Sequence, residues 1–243
     1  MRALSYDGAT TIGVHLLPDL LPRFQRRGGS FGSLRDRGTD QGLSGVRSGE
    51  VDVAGVMRAI TPAEQAAADL RWVLVGHDAL GLFVHASNPL AGLSRAQLKG
   101  LFTGALTGWG ALGWRDSAVV PITERKAGGR GTVQELRRLA LDGDPYGATL
   151  EQEDAPSCLR AVMADPNAVT VASMSMALPG VRAVAIDGVP PSAANVRSGA
   201  YLLGRPMYLV SRAPPSEAAA VLLELVASDE GQAVVARKFT PAR

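Results

Sequence analysis

The sequence is poor in the residues that build covalent or metal-centred sites. Cys158 is the one cysteine in 243 residues, which excludes an intramolecular disulfide framework. It stands in Ser157-Cys158-Leu159 at what reads as a helix start, where a buried thiol is the simple expectation. The three histidines, His15, His77 and His85, lack the i,i+4 spacing of a helical zinc pair, and no Cys/His cluster offers another metal site. No Gly-x-Ser-x-Gly elbow occurs, and no histidine sits in a recognisable setting for a serine or cysteine nucleophile. Glu151-Gln152-Glu153-Asp154 reads as a solvated acidic loop and not as a general acid/base pair. No apolar run reaches membrane-spanning length, so direct membrane insertion is not expected. A positively charged start followed by an apolar stretch is missing as well. Either a signal peptide has been removed, which places the protein in the periplasm or another extracytoplasmic space, or the chain is cytoplasmic. These absences leave no catalytic residue, no metal and no cofactor, and the chain reads as a non-enzyme.

Charge of one sign is scarce too. Lys and Arg number 25 against 23 Asp and Glu, a net charge of +2, and no long basic run interrupts the chain, so nucleic acid is not an expected partner. Two small basic groups remain: Arg125-Lys126 with Arg130, and Arg35 with Arg37. They have the right scale for one small anion, and equally for an ordinary solvated surface. What the chain has in quantity is apolar side chain, 46% of residues, punctuated by 28 glycines and 15 prolines scattered between apolar segments. That is the balance of a globular protein able to build a real core.

Short β-rich runs alternate with amphipathic stretches along nearly the whole chain. Strands are expected at Ala3–Tyr6, Val51–Val56, Trp72–Val75, Leu80–His85, Val119–Thr123, Val169–Ser173, Val181–Ile186 and Met207–Ser211. Two helix starts carry capping boxes, Thr61-Pro62-Ala63-Glu64 and Ser94-Arg95-Ala96-Gln97. Further helices are expected over Val133–Leu141, over Ser157–Met163 and from Pro214-Pro215-Ser216 through Val226. This alternation argues for an α/β architecture with mixed or parallel sheets. Val75–Leu80 and the Gly/Pro/Ser-rich Asp187–Leu203 read as crossings between lobes. The expected division is residues 1–77 plus 190–243 as a discontinuous first lobe and 78–189 as the second.

Three turns place small or hydroxyl residues where a helix begins: Gly8-Ala9-Thr10-Thr11, Gly38-Thr39-Asp40-Gln41-Gly42-Leu43, and Arg125-Lys126-Ala127-Gly128-Gly129-Arg130-Gly131-Thr132. Glycine lets the backbone approach a ligand closely, free N–H groups in a first helical turn favour an anion, and threonine hydroxyls add donors. Each turn alone can equally be a plain helix cap. The third lacks the Gly-Lys-Ser/Thr ending of a P-loop.

In their colinear order these segments resemble the phosphate-binding proteins of ABC importers over nearly the whole chain. Gly8-Ala9-Thr10-Thr11 resembles the family's Gly-Ser/Ala-Thr turn, and Gly38–Leu43 with Gly49-Glu50-Val51-Asp52-Val53-Ala54 its second loop and following strand. Asn88-Pro89-Leu90, Phe102-Thr103-Gly104 and Thr107-Gly108-Trp109 resemble its most distinctive stretch. Pro121-Ile122-Thr123-Glu124-Arg125 leading to Gly131-Thr132 resembles its arginine-to-Ser-Gly-Thr loop. Asp187-Gly188-Val189-Pro190, Tyr201–Pro206 and Asp229-Glu230-Gly231-Gln232 continue the match.

The resemblance implies a two-lobed Venus-flytrap fold of the type 2 periplasmic-binding-protein kind, with mixed sheets and a ligand cleft between the lobes. It implies a solute receptor for phosphate or a phosphate-like oxyanion, a monomer serving an ABC permease. Carried over by position, Ala9, Thr10, Thr11, Thr39, Asp40, Met57, Arg125, Lys126, Arg130, Gly131 and Thr132 form the ligand-binding set. Thr10 and Thr39 would give hydroxyls, Thr11 an amide, and Gly131 and Thr132 donors at a helix start. Two positions depart from the pattern. Val56-Met57-Arg58 stands where the family has serine or aspartate, and Arg130 replaces the serine before Gly-Thr. The family's arginine falls on Lys126, or on Arg125 if one residue is inserted. Arg130 either enters the site and suits a more demanding anion, or turns to solvent. The alternative function is a sensory, regulatory or scaffold domain of the same fold with an altered ligand site.

Overall fold

In the computed structural model, which describes residues 3–243, short strands and helices alternate throughout. Strand β1 (Leu4–Gly8) leads into α1 (Thr10–His15) and α2 (Leu17–Arg26), and β2 (Phe31–Leu34) leads into α3 (Thr39–Ser48). Next come β3 (Val53–Val56), α4 (Pro62–Ala66) and β4 (Leu70–His85). The middle of the chain holds β5 (Gly92–Leu93), α5 (Arg95–Thr103), β6 (Val120–Glu124), α6 (Gly131–Leu139), β7 (Leu150–Gln152), α7 (Ala155–Ala164), β8 (Ala168–Ser173) and β9 (Val181–Ile186). It ends with α8 (Ala193–Arg197), β10 (Gly204–Arg212), α9 (Glu217–Ala227), α10 (Asp229–Val235) and β11 (Thr240–Pro241).

The chain packs as two compact units. The first takes residues up to Asp78 together with Ala127–Gly131 and Arg205–Arg243, and the second takes Ala79–Lys126 and Thr132–Gly204. In the first unit the strand order is β2-β1-β3-β10-β4, with β11 on β4. Strand β1 runs parallel to β2 and β3, whereas β10 is antiparallel to β3. Every residue of β3 is buried, as expected of a strand covered on both faces. Its side chains alternate between two cores. Val53 joins Leu4, Tyr6, Ile12, Phe24 and Leu222, while Ala54 and Val56 join Leu43, Val46 and Val210 under α3. Helix α3 lies close because Gly42 has no side chain: a Cβ there would sit 2.6 Å from the Asp7 carbonyl oxygen.

In the second unit, β4 from Leu80 onward pairs antiparallel with β8 and with β9, β6 is parallel to both β8 and β7, and β5 is parallel to β9. The core gathers Leu82, Leu101, Phe102, Trp109, Val171 and Leu203. Trp109 satisfies its indole N–H by donating to the Asn167 carbonyl at 2.9 Å.

Three features differ from the sequence expectation. Gly76-His77-Asp78 is no break between strands, because β11 pairs with it (Thr240 opposite His77, Pro241 opposite Gly76) and β4 continues through. The expected second lobe ended at residue 189, yet 190–204 pack into the second unit, where Tyr201 donates its hydroxyl to the Leu80 carbonyl at 2.7 Å. The stretch Ala127–Gly131 belongs with the first unit, which the expected boundaries did not anticipate. The first unit also contains a buried ion pair, Arg205 donating from Nε at 3.1 Å and Nη2 at 2.9 Å to Asp78 Oδ2.

Candidate functional site

The candidate site is built where β1 ends. Gly8 adopts φ 145°, and a Cβ there would collide with the Gly55 backbone at 2.5 Å. The turn is then fastened by Ala9 N–H to Gly55 O at 2.9 Å and by the Tyr6 hydroxyl to Ala9 O at 2.9 Å. Burial pushes the Tyr6 hydroxyl well above its ordinary pKa, so it stays a donor. Helix α1 starts at Thr10 with Ala9 as N-cap, and no side chain caps it. Thr10 and Thr11 are both buried.

Helix α3 begins beside this turn. Gly38, at φ 110°, donates its N–H to Gly8 O at 2.9 Å, and no side chain caps α3 either. The contrast is informative, because Thr61, Ser94, Asp154, Ser192, Ser216 and Ser228 each cap the helix that follows. Thr39 is fully buried, and its Oγ1 accepts the Met57 N–H at 3.2 Å. Accepting that bond leaves the hydroxyl proton available to donate.

Part of the third turn joins these two. Asp40 N–H reaches Gly129 O at 3.4 Å, and Arg130 donates from Nη1 to Asp36 O at 2.9 Å. The Thr10 hydroxyl approaches the same carbonyl at 3.4 Å, so Thr10 and Arg130 meet at one oxygen. A Cβ on Gly131 would lie 2.9 Å from Met57 O and 3.0 Å from Thr39 Oγ1. Glycine is what lets α6 begin there. Ala9, Thr10, Thr11, Thr39, Asp40, Met57, Arg130 and Gly131 therefore all belong to the first unit. The Met57 side chain lies in that unit's core, so its contribution to the loop is its backbone.

The other predicted residues lie in the second unit. Lys126 donates from Nζ to Thr149 Oγ1 at 2.9 Å and pairs with Glu151 at 3.2 Å. Arg125 pairs with Glu153 at 2.7 Å on an exposed surface. Thr132 is buried in the first turn of α6.

Two charged pairs escaped the sequence reading. Asp7 is fully buried and joined to Arg37. A charged residue in the apolar run of β1, followed by Gly-Ala-Thr-Thr, was the available signal. Arg58 grips Glu64 through two bonds of 2.7 and 2.8 Å and reaches Asp40 at 3.3 Å. The Arg58 hydrogen bonds hold the Glu64 carboxyl down at about 2. Arg58 thus steadies the start of α3 from the side.

A family model described as a PBP superfamily domain matches residues 10–230. Among curated proteins, the phosphate-binding protein PstS of Bacillus subtilis is 31% identical over 170 residues, covering 68% of this chain and 55% of that protein. PstS of Pseudomonas aeruginosa is 30% identical over 190 residues, with 68% and 58% covered. The chain therefore spans a little over half the length of the curated relatives it matches. Among solved structures, a substrate-binding protein with bound phosphate from Clostridium perfringens superposes with a TM-score of 0.92 at 23% identity, covering 100% of both chains.

Proposed function

This chain belongs to the PBP superfamily, and from that premise we propose that it is a non-enzymatic receptor for a small oxyanion, phosphate or phosphate-like, serving an ABC importer. The observation that carries this reading is the start of α3, which no side chain caps, where the buried Thr39 hydroxyl accepts from Met57 and keeps its proton to donate, and where the Arg130 side chain lies against Gly38. Hydroxyls, a guanidinium and the amides of a first helical turn are all donors, so the arrangement suits an acceptor-rich anion. In this reading Thr10 and Thr39 donate hydroxyls, Thr11, Gly131 and Thr132 donate amides, and Arg130 supplies positive charge. Arg125 or Lys126 adds a second cation, while Ala9, Asp40 and Met57 shape the loops. The receptor is a monomer outside the cytoplasm, and its protein partner is an ABC permease. The names of the curated relatives and of the solved neighbour support phosphate as the first anion to try.

The test is calorimetric titration of ligand-stripped protein with phosphate, sulfate, a phosphate monoester and acetate. Selective, saturable heat with phosphate or its ester supports the receptor. Heat with none of them removes it. A second reading, a sensory or regulatory domain with an altered site, is favoured by one observation: Thr10 and Arg130 each direct a hydrogen bond to Asp36 O. It expects no oxyanion heat and a complex with a partner protein instead.

A further inference from the structure

Asp7 is a completely buried carboxylate at the root of both loops that carry the site's hydroxyls. Its Oδ1 accepts the Gly8 N–H at 2.8 Å and the Arg37 N–H at 3.1 Å. Its Oδ2 takes Arg37 Nε at 2.6 Å and Nη2 at 2.5 Å. Gly8 opens the turn to Thr10 and Thr11, and Arg37 stands two residues before Thr39. One carboxylate therefore fastens both loops from below.

A negative charge in that place has a second effect. Buried charges are poorly screened, so a carboxylate there opposes any anion bound a few ångströms away, and opposes a dianion more than a monoanion. Arg37 is the counter-charge. Its guanidinium is shared, since Nη2 also lies 3.3 Å from Glu50 Oε1, which takes Arg35 at 2.5 Å. The neutralisation of Asp7 is thus local and specific to Arg37, although the Arg37 side chain is itself 45% exposed.

We propose that Arg37 is an affinity- and specificity-determining residue: by neutralising Asp7 it permits a multiply charged anion beside Thr10 and Thr39. This rests on the receptor reading of the same loops. The competing explanation is mechanical, that the pair only fastens the loops. The two explanations differ in sign at Asp7→Asn. Asparagine keeps one oxygen for the backbone N–H groups of Gly8 and Arg37, removes the charge, and gives up the two guanidinium bonds that Oδ2 accepts. Electrostatic control makes Asp7→Asn bind more tightly than wild type, whereas mere fastening makes it equal or weaker.

The experiment titrates the full chain with inorganic phosphate by calorimetry, as wild type, Arg37→Ala, Asp7→Asn and the double variant, at low and high salt. Arg37→Ala is expected to bind about tenfold more weakly at low salt, with a deficit that largely persists at high salt because the Asp7 charge is buried. The double variant is expected to return to within about threefold of wild type, as a charge-coupled pair requires. Arg37→Ala binding like wild type, or a double variant as weak as Arg37→Ala, would overturn the proposal. Should Arg37→Ala fail to fold by circular dichroism, Asp7→Asn decides alone: tighter binding supports the proposal, and equal or weaker binding overturns it. A folded wild type that binds no oxyanion overturns the receptor reading and this inference together. Normal wild-type binding without the charge response overturns only the inference.

Discussion

Met57 donates its backbone N–H to the hydroxyl of Thr39 at 3.2 Å, with both residues buried. The bond ties the residue after β3 to the first residue of α3 and leaves the Thr39 hydroxyl proton able to donate. Thr39→Val keeps the shape and removes the acceptor, so a buried amide loses its partner at a cost of about 1–3 kcal/mol. Urea unfolding should show a lower midpoint with an unchanged slope, and phosphate titration a weaker affinity. Thr39→Ser, which keeps the hydroxyl, should recover most of both.

The Arg58–Glu64 pair predicts an acid sensitivity. Hydrogen bonds from Arg58 lower the Glu64 carboxyl from 4.5 to about 2. A carboxyl lowered by folding adds stability above its unfolded value, and that stability fades as pH falls from near 4.5 toward about 2. Urea midpoints measured through this window should fall more steeply for wild type than for Glu64→Gln. Parallel curves would show that the pair contributes nothing to the acid response.

Cys158 is fully buried, and burial pushes its thiol up to about 12. A thiol that stays protonated is a poor nucleophile. Ellman's reagent should therefore label the native protein very slowly and denatured protein fully. Rapid native labelling would mean that the strand-and-helix packing around α7 opens readily.

Much of the scaffold was legible because its signals are local. The capping boxes at Thr61 and Ser94 both form with both of their hydrogen bonds, and β9 spans the expected Val181–Ile186. What escaped depends on partners distant in sequence. Gly76-His77-Asp78 looks like a turn until Thr240, Pro241 and Arg205 are brought against it. The candidate hydroxyls were legible as Gly/Thr turns, since their chemistry is written in the residue types. The Asp7–Arg37 pair was not, because thirty residues separate partners that meet only when β2 lies beside β1.

In the proposed receptor, the loops at Thr10 and Thr39 hold a small oxyanion. Equilibrium dialysis against radiolabelled phosphate tests it most directly, using wild type and Thr10→Val/Thr39→Val after unfolding and refolding to strip bound ligand. Wild type is expected to take up phosphate saturably and the double variant to lose at least about tenfold in affinity, since two hydrogen bonds to a charged ligand are removed. No saturable uptake by wild type, or undiminished uptake by the folded double variant, would contradict it.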